Sequence, residues 1–192
     1  GEDAKTRERF LGTIRHEAQR MQALVEDLMS LSRIEATKHE TPAEQVDMLA
    51  VTREVIGEFS AATRITLVND CAKAPISGDR VQLAQVMRNL IDNAIKYGRP
   101  DGAVTVSIEA TATGWIAISV RDEGEGIAPE HLPRLMERFY RADTSRSRAA
   151  GGTGLGLSIV KHIVERHRGR IDISSRQGSG TTVSLMLPAR PG

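Results

Sequence analysis

Apolar residues recur along this chain with two clear periods. The sharpest helical pattern surrounds Gln85–Tyr97, where Leu83, Val86, Met87, Leu90 and Ala94 share one face of a 3.6-residue repeat. Arg88, Asp92 and Arg99 lie roughly opposite, toward water. Asp79 followed by Gln82 resembles a capping box and should start this helix, and Gly98 with Pro100 should stop it. A longer helix runs from Asp3 to Glu35, with no Pro and a single Gly. Its Leu11, Ile14, Ala18, Met21, Val25 and Leu28 alternate three- and four-residue steps, the seam of a coiled coil. At 1.5 Å per residue this helix is about 45–50 Å long. A compact domain made of the remaining residues is only about 40 Å across. The helix is therefore expected to project, and its seam needs a partner helix that no other segment supplies.

The rest of the pattern is shorter-ranged. Ala36–Gln45 is polar, contains Pro42 and reads as a linker. Val46–Ser60 returns to helical spacing, Ile65–Val68 reads as a strand and Ala72–Gly78 as a loop. Two strands, Val104–Ala110 and Trp115–Asp122, flank a turn at Thr113-Gly114. Pro129 suits the first position of a short helix through Glu137. Arg141–Gly152 is a Ser/Arg/Ala/Gly-rich loop without period, followed by a helix from Leu155 to His167 that ends at Gly169. Strands Arg170–Ser175 and Thr181–Leu187 close the chain around Gln177–Gly180. No internal repeat is present. This order predicts an α+β fold, a two-layer α/β sandwich with helices on one face of a mixed sheet, preceded by the long coiled-coil-like helix. The expected division is residues 1–45 and residues 46–192.

Composition narrows the function classes. The chain has 192 residues, 40% hydrophobic and 27% charged, which is ordinary for a globular protein. A net charge of +1 gives no nucleic-acid or membrane-surface signal, and one Trp, two Tyr and three Phe are too few for a base-stacking platform. The single Cys71 excludes an internal disulfide and suits a reducing compartment. No run approaches the roughly 18 apolar residues of a membrane span, so the chain is expected in the cytoplasm; a larger, membrane-anchored parent from which it is cut remains compatible with this.

Three stretches carry chemistry. Along the edge of the first helix runs a stripe of Gln82, Gln85, Asn89, Asn93 and Lys96. Amide oxygens ligate hard cations, amide nitrogens donate to anions, and a lysine neutralises phosphate, as a metal–nucleotide site requires. The same stripe is also compatible with a helix edge carrying incidental polar residues. Asp122 is in phase with the apolar Ile116, Ile118 and Val120, so its carboxylate needs a donor. The glycines of Glu123-Gly124-Glu125-Gly126-Ile127 leave room for a flat ligand with an exocyclic amine, although a turn that caps the strand through local N–H groups fits equally. Gly151-Gly-Thr-Gly154-Leu-Gly156-Leu-Ser158 runs from a loop into a helix, and bare N–H groups there suit phosphate. It is neither a Walker loop nor a dinucleotide fingerprint. Arg146 and Arg148 are within reach of such a phosphate, or are solvated loop charges.

Together these stretches become specific. Asn89-Leu-Ile-Asp-Asn93-Ala-Ile-Lys96-Tyr97, Asp122-Glu-Gly124-Glu-Gly126-Ile127, Glu137-Arg-Phe139-Tyr140-Arg141, Gly152-Thr-Gly154-Leu-Gly156-Leu157 and Gly178-Ser-Gly180-Thr181 follow one another in order. From Val46 to Leu187 the chain resembles the catalytic ATP-binding domain of two-component sensor histidine kinases, in the wider family shared with type II topoisomerases and the Hsp90 chaperones. The resemblance implies an ATP/ADP and Mg²⁺ site. In it Asn93 ligates Mg²⁺, Lys96 and Tyr97 meet the phosphates, and Asp122 receives the adenine amine with support from Thr181. Gly124, Gly126 and Ile127 would shape the adenine pocket. Gly152, Gly154, Leu155, Gly156 and Leu157 would form the phosphate loop, under a lid of about Arg141–Gly152 hinged near Phe139. ATP-hydrolysing relatives carry a Glu where Asn89 stands, and an amide cannot act as that general base. Asn89, the implied catalytic position, therefore favours phosphoryl transfer over hydrolysis.

The long helix, with Phe10-Leu, Glu17-Ala, Arg20-Met, Leu24-Val, Asp27-Leu and Leu31-Ser-Arg-Ile-Glu35, resembles the second helix of the kinase dimerisation hairpin in phosphate-responsive sensors. The phospho-acceptor motif of the first hairpin helix is absent. His16-Glu17 matches only its first two residues, so His16 reads as a solvated histidine, and His39, His131, His162 and His167 as surface or packing residues. The resemblance implies an N-terminally truncated kinase: residues 1–45 a hairpin helix plus linker, residues 46–192 the catalytic domain. Such a fragment should bind Mg²⁺–ATP without autophosphorylating. Its implied partners are a response regulator receiver domain and, in the full-length parent, a second copy through the dimerisation helices, with no nucleic acid. The competing expectation is an anti-sigma-type serine kinase or nucleotide-binding interaction module of the same fold.

Overall fold

The structure is a computed structural model and describes residues 2–37, 40–59, 63–142 and 152–190. Its elements are α1 (Glu2–Ala36), β1 (Glu44–Asp47), α2 (Met48–Gly57), β2 (Ile65–Asn69), β3 (Pro75–Gly78) and α3 (Arg80–Tyr97). They continue with β4 (Val104–Ala110), β5 (Trp115–Arg121), a 3-10 helix (Pro129–Arg134), α4 (Gly156–Arg166), β6 (Arg170–Arg176) and β7 (Gly180–Pro188). Five strands form one sheet in the order β2-β4-β5-β7-β6. β2 runs parallel to β4 and the other neighbours are antiparallel. Alternation puts Val104, Val106, Ile108, Ile116, Ile118, Val120, Leu185 and Leu187 on the buried face. Against it lie Leu83, Val86, Met87, Leu90, Ile91 and Ala94 of α3 and Ile159, Val160, Ile163 and Val164 of α4. The expected two-layer sandwich is present, with the apolar face of α3 at its centre.

A small second sheet departs from expectation. β1 and β3 pair antiparallel, Glu44 opposite Gly78 and Asp47 opposite Pro75, where the sequence suggested linker and loop. Glu44 and Gln45, expected in the linker, are strand residues. Each strand has only four residues, too few to display a period of two, and the pairing is non-local. Asp47 joins the pieces: its carboxylate accepts from Leu49 N at 3.0 Å, capping α2, and from Ala74 N at 2.9 Å. The end of the chain returns to this corner, where Ala189 bridges Ile76 and Arg190 N donates to Pro75 O at 2.9 Å. Arg190 Nη1 also donates to Ala43 O at 3.3 Å.

Three helix termini differ in detail from the reading of the sequence. Asp79 caps α3 by accepting from Val81 N and Gln82 N, but the reciprocal half of a capping box is missing. The Asp79 amide donates to His167 Nε2 at 2.9 Å instead, and Gln82 Oε1 is buried without a partner among the described residues. The helix beginning at Pro129 is 3-10 in form and stops at Arg134 rather than Glu137. At the end of α4 the left-handed residue is Arg168 (φ 57°), not Gly169, whose N–H donates to Val164 O in a Schellman-type closure.

α1 projects as expected along most of its length. Leu11, Ile14, Met21 and Val25 are 57–64% exposed, whereas Leu31 and Ile34 near its C-terminus are buried with Leu24 packed beside them. The partner for that last stretch is α4.

Candidate functional site

The amide stripe of α3 is pulled apart by its neighbours, residue by residue. Gln85 Oε1 accepts from Ser30 of α1 at 2.9 Å. Asn89 Nδ2 donates to Gly156 O at 3.3 Å, at the first turn of α4. A Cβ placed on Gly156 would stand 3.9 Å from Asn89 Cγ and from Asn93 Nδ2, so both asparagines face this glycine. Lys96 Nζ pairs with Asp92 one turn back at 2.6 Å. Tyr97 sits half-buried at the end of the helix, its carbonyl against Gly124.

At the end of β5, Asp122 is buried, 7% exposed, as its phase predicted. Its Oδ1 accepts from Gly124 N at 2.7 Å, and its own amide donates to Thr181 O at 2.9 Å. Burial pushes its carboxyl above the ordinary range, while the Gly124 and Thr181 backbone and the Arg121 charge pull it back. The local N–H cap is therefore present, and it uses one carboxylate oxygen. The glycines here serve the chain itself. A Cβ on Gly124 would meet Tyr97 O at 2.3 Å, and one on Gly126 (φ 70°) would meet Arg176 O at 2.1 Å. Ile127 N donates to Ser175 Oγ at 2.8 Å, and the same hydroxyl lies 2.9 Å from Thr181 Oγ1 and donates to Gly180 O. Ser175 thus ties Ile127 to Thr181, a role without any sequence motif.

The glycine loop meets the helix start as follows. Gly154 (φ 74°) and Phe139 (φ 63°) are both left-handed and back to back, with Phe139 N donating to Gly154 O at 2.9 Å. A phenylalanine in that region of backbone space is strained, and it stands at the expected hinge. Gly152 is half-buried, Leu155 is fully buried, and Leu157 packs against the core. Thr153 Oγ1 accepts from Leu155 N at 3.2 Å, and α4 has no side-chain cap of its own. Its first N–H groups and the positive end of its dipole are left for an anion.

Two further residues carry no assignment from the sequence. Arg141 has Nε and Nη2 buried without a partner among the described residues. A buried guanidinium in that condition needs an anion. Asp27 of α1 reaches the glycine loop, its Oδ2 accepting from Thr153 Oγ1 at 2.6 Å. This contact spans 126 positions, so no local pattern announces it. Arg146, Arg148 and His39, and residues 143–151 of the expected lid, lie outside the described residues. His131 bonds Tyr140, His162 faces Arg138 and Glu165, and His167 is buried between Ile163 and Asp79. Among the described residues no group of three His, Cys, Asp or Glu is arranged to hold a metal ion. A divalent cation here would need ligand oxygens alongside an amide.

Helices on one face of a mixed sheet, with an amide-edged helix abutting a glycine-rich helix start, define a class of nucleotide-binding ATPase domain. The chain belongs to the histidine kinase-, DNA gyrase B- and HSP90-like ATPase family, whose profile matches residues 78–191. Its relatives include the phosphate regulon sensor protein PhoR of Pseudomonas aeruginosa PAO1, 41% identical over 178 residues, covering 91% of this chain and 40% of the relative. The sensor-like histidine kinase SenX3 of Mycobacterium tuberculosis H37Rv is 37% identical over 192 residues, covering 98% of this chain and 47% of the relative. Among solved structures, full-length ShkA in complex with AMPPNP superposes with a TM-score of 0.78 at 25% identity, over 95% of this chain and 39% of that one. The mycobacterial sensor histidine kinase MprB gives 0.67 at 30% identity, over 78% of this chain and 99% of that one. The domain is thus a histidine-kinase catalytic ATPase domain, and the chain spans less than half the length of these curated relatives. Among the described residues no helix is long and apolar enough to cross a membrane.

Proposed function

We propose that this chain binds Mg²⁺–ATP between α3 and α4 and passes the terminal phosphate to a histidine of a dimerisation hairpin, for relay to an aspartate of a response regulator. The observation that carries this reading is the approach of Asn89 and Asn93 to Gly156 at the uncapped start of α4. The residues present fit the group. An uncapped helix start and the Arg141 Nε and Nη2, buried without a partner among the described residues, suit phosphate, and an amide oxygen at Asn93 suits a hard cation that shares phosphate oxygens. Magnesium would neutralise charge on the phosphates as the transfer proceeds.

The chain's own groups supply position and field. Asp122 offers its second oxygen to the adenine amine, in the pocket made by Gly124, Gly126, Ile127 and Thr181. The Gly152–Leu157 loop presents N–H groups to the phosphates. Lys96 must leave Asp92 to reach them, a modest cost because that pair is exposed. Tyr97 meets the phosphates beside Lys96. Asn89, already bonded to the Gly156 carbonyl, holds the loop and supplies no base, so water is not activated. In this reading residues 1–45 are the second hairpin helix with its linker, residues 46–192 are the catalytic domain, and the seam Leu11–Leu28 packs in a homodimer of a membrane-anchored parent. His16 is exposed on α1 and is not the acceptor.

Calorimetric titration with Mg²⁺–ATP tests the site. Asn93→Ala should abolish Mg²⁺-dependent binding, and Asp122→Ala should erase the preference for adenine over guanine nucleotides; unchanged binding in both variants would refute it. Adding a separate hairpin that carries an acceptor histidine should yield acid-labile phosphate on the hairpin. Acid-stable phosphoserine on a partner would favour the anti-sigma-type reading, and label on this chain lost in His16→Ala would overturn the assignment of His16.

A further inference from the structure

We propose that α1 opposes nucleotide: Asp27 holds the glycine loop in the docked form, so phosphate binding and α1 docking are mutually antagonistic. This rests on the ATP reading above and adds a regulator to the same site. α1 is bonded to both halves of that site. Asp27 Oδ2 accepts from Thr153 Oγ1 at 2.6 Å, and Ser30 Oγ donates to Gln85 Oε1 at 2.9 Å, on the amide stripe of α3. Thr153 Oγ1 in turn accepts from Leu155 N at 3.2 Å. The Asp27 carboxylate is therefore one hydroxyl away from the uncapped start of α4.

That position is electrostatically occupied in the docked form. Asp27 is half-buried and lies within electrostatic range of Lys96 and Asp92, the cation and anion at the end of the stripe. Burial pushes its carboxyl upward and the Thr153 hydroxyl pulls it back, so the hydroxyl is a favourable partner for the ionised form. A nucleoside triphosphate would bring several negative charges to the same helix start. Phosphate and carboxylate would then compete for one hydroxyl and one dipole while repelling each other in a partly desolvated setting. The rest of the docking can yield without unfolding anything. Beyond Leu24, Leu31 and Ile34, α1 is held by polar contacts such as Glu35 with Arg138. Coupling between two events on one protein is reciprocal: if docking weakens nucleotide, nucleotide weakens docking by the same factor.

The experiment uses the 192-residue chain. Dissociation constants are measured for Mg²⁺–AMP-PNP and for adenosine with the unaltered chain, Asp27→Ala and the near-isosteric Asp27→Asn. Hydrogen exchange across Leu24–Ile34 is followed with and without nucleotide. Asp27→Ala is expected to tighten Mg²⁺–AMP-PNP about five- to tenfold and Asp27→Asn about two- to threefold, with adenosine unchanged. Nucleotide is expected to speed exchange across Leu24–Ile34. Weaker or unchanged triphosphate binding in both variants overturns the antagonism while leaving the ATP site standing. Equal tightening of adenosine overturns it too, since a purely structural change does not discriminate by charge. No nucleotide binding by any of the three proteins sinks the ATP reading, and this inference with it.

Discussion

α1 and α3 carry apolar repeats of similar spacing and meet different fates. In α3, Leu83, Val86, Met87, Leu90 and Ile91 are 2% exposed or less, pressed between the sheet, α2 and α4. In α1, Leu11, Ile14, Met21 and Val25 of the equivalent seam remain more than half exposed, while Leu31 and Ile34 are buried and Leu24 is partly covered. Periodicity determines which face of a helix is apolar; whether that face is covered depends on what lies within reach of it. α3 starts at a cap fixed by Asp79 and His167 and runs under the sheet. α1 is anchored only at its C-terminal third, and the remainder extends past the last surface that could cover it. The difference separates a helix that builds the domain from one that visits it.

Several changes would break or sharpen that contrast. Leu90→Ala should cost about 2–5 kcal/mol of domain stability, while Val25→Ala in the exposed seam should cost under about 0.5 kcal/mol in the monomer. Urea unfolding of the two variants would compare them directly, and equal losses would mean that the α1 seam is covered in solution. Acid should act on the α3–α4 side through His167. His167 is held neutral, its Nε2 accepting from Asp79 N and its Nδ1 bonded to Ile163 O, and burial lowers its pKa below the ordinary value of 6.5. The unfolded chain therefore takes up protons that the folded one refuses. The stability this contributes is complete above about pH 6.5 and is lost as pH falls from there toward the folded-state pKa. Urea midpoints measured between about pH 7.5 and 5.5 should drop on acidification, and His167→Gln should flatten that slope.

Smaller effects belong to α1. Gly12 has nothing within 4 Å of an added Cβ, so Gly12→Ala should add about 0.5–1 kcal/mol of helix stability, read as increased helicity by circular dichroism. Glu35→Ala breaks an ion pair whose partners are 49% and 43% exposed, and should change the thermal midpoint by an amount worth less than about 1 kcal/mol.

The parts legible in the sequence were those that repeat locally. The α3 face, the phase of Asp122 along β5 and the Asp79 cap all follow from spacing within one element. Non-local partners were not legible. Asp79 gives its amide to a histidine 88 positions away, so the capping box inferred from Gln82 was half right. β1 and β3 are too short to show a period and exist because they find each other. Gly124 and Gly126 were recognisable as a glycine pair, but the close approach of the Tyr97 and Arg176 backbones to them was not. Asp27 was visible among the residues by which α1 resembles a hairpin helix, but its bond with Thr153 at 2.6 Å was not. Arg141 was visible within its motif, yet only folding leaves its Nε and Nη2 buried without a partner among the described residues.

The small β1–β3 sheet has a mechanical consequence. The polypeptide comes into the domain at Ala43 and goes out at Arg190 through the same corner, where the Arg190 side chain touches the Ala43 carbonyl. Torque delivered along α1 would therefore reach the domain at two places, this corner and the contact of Leu31 and Ile34 with α4.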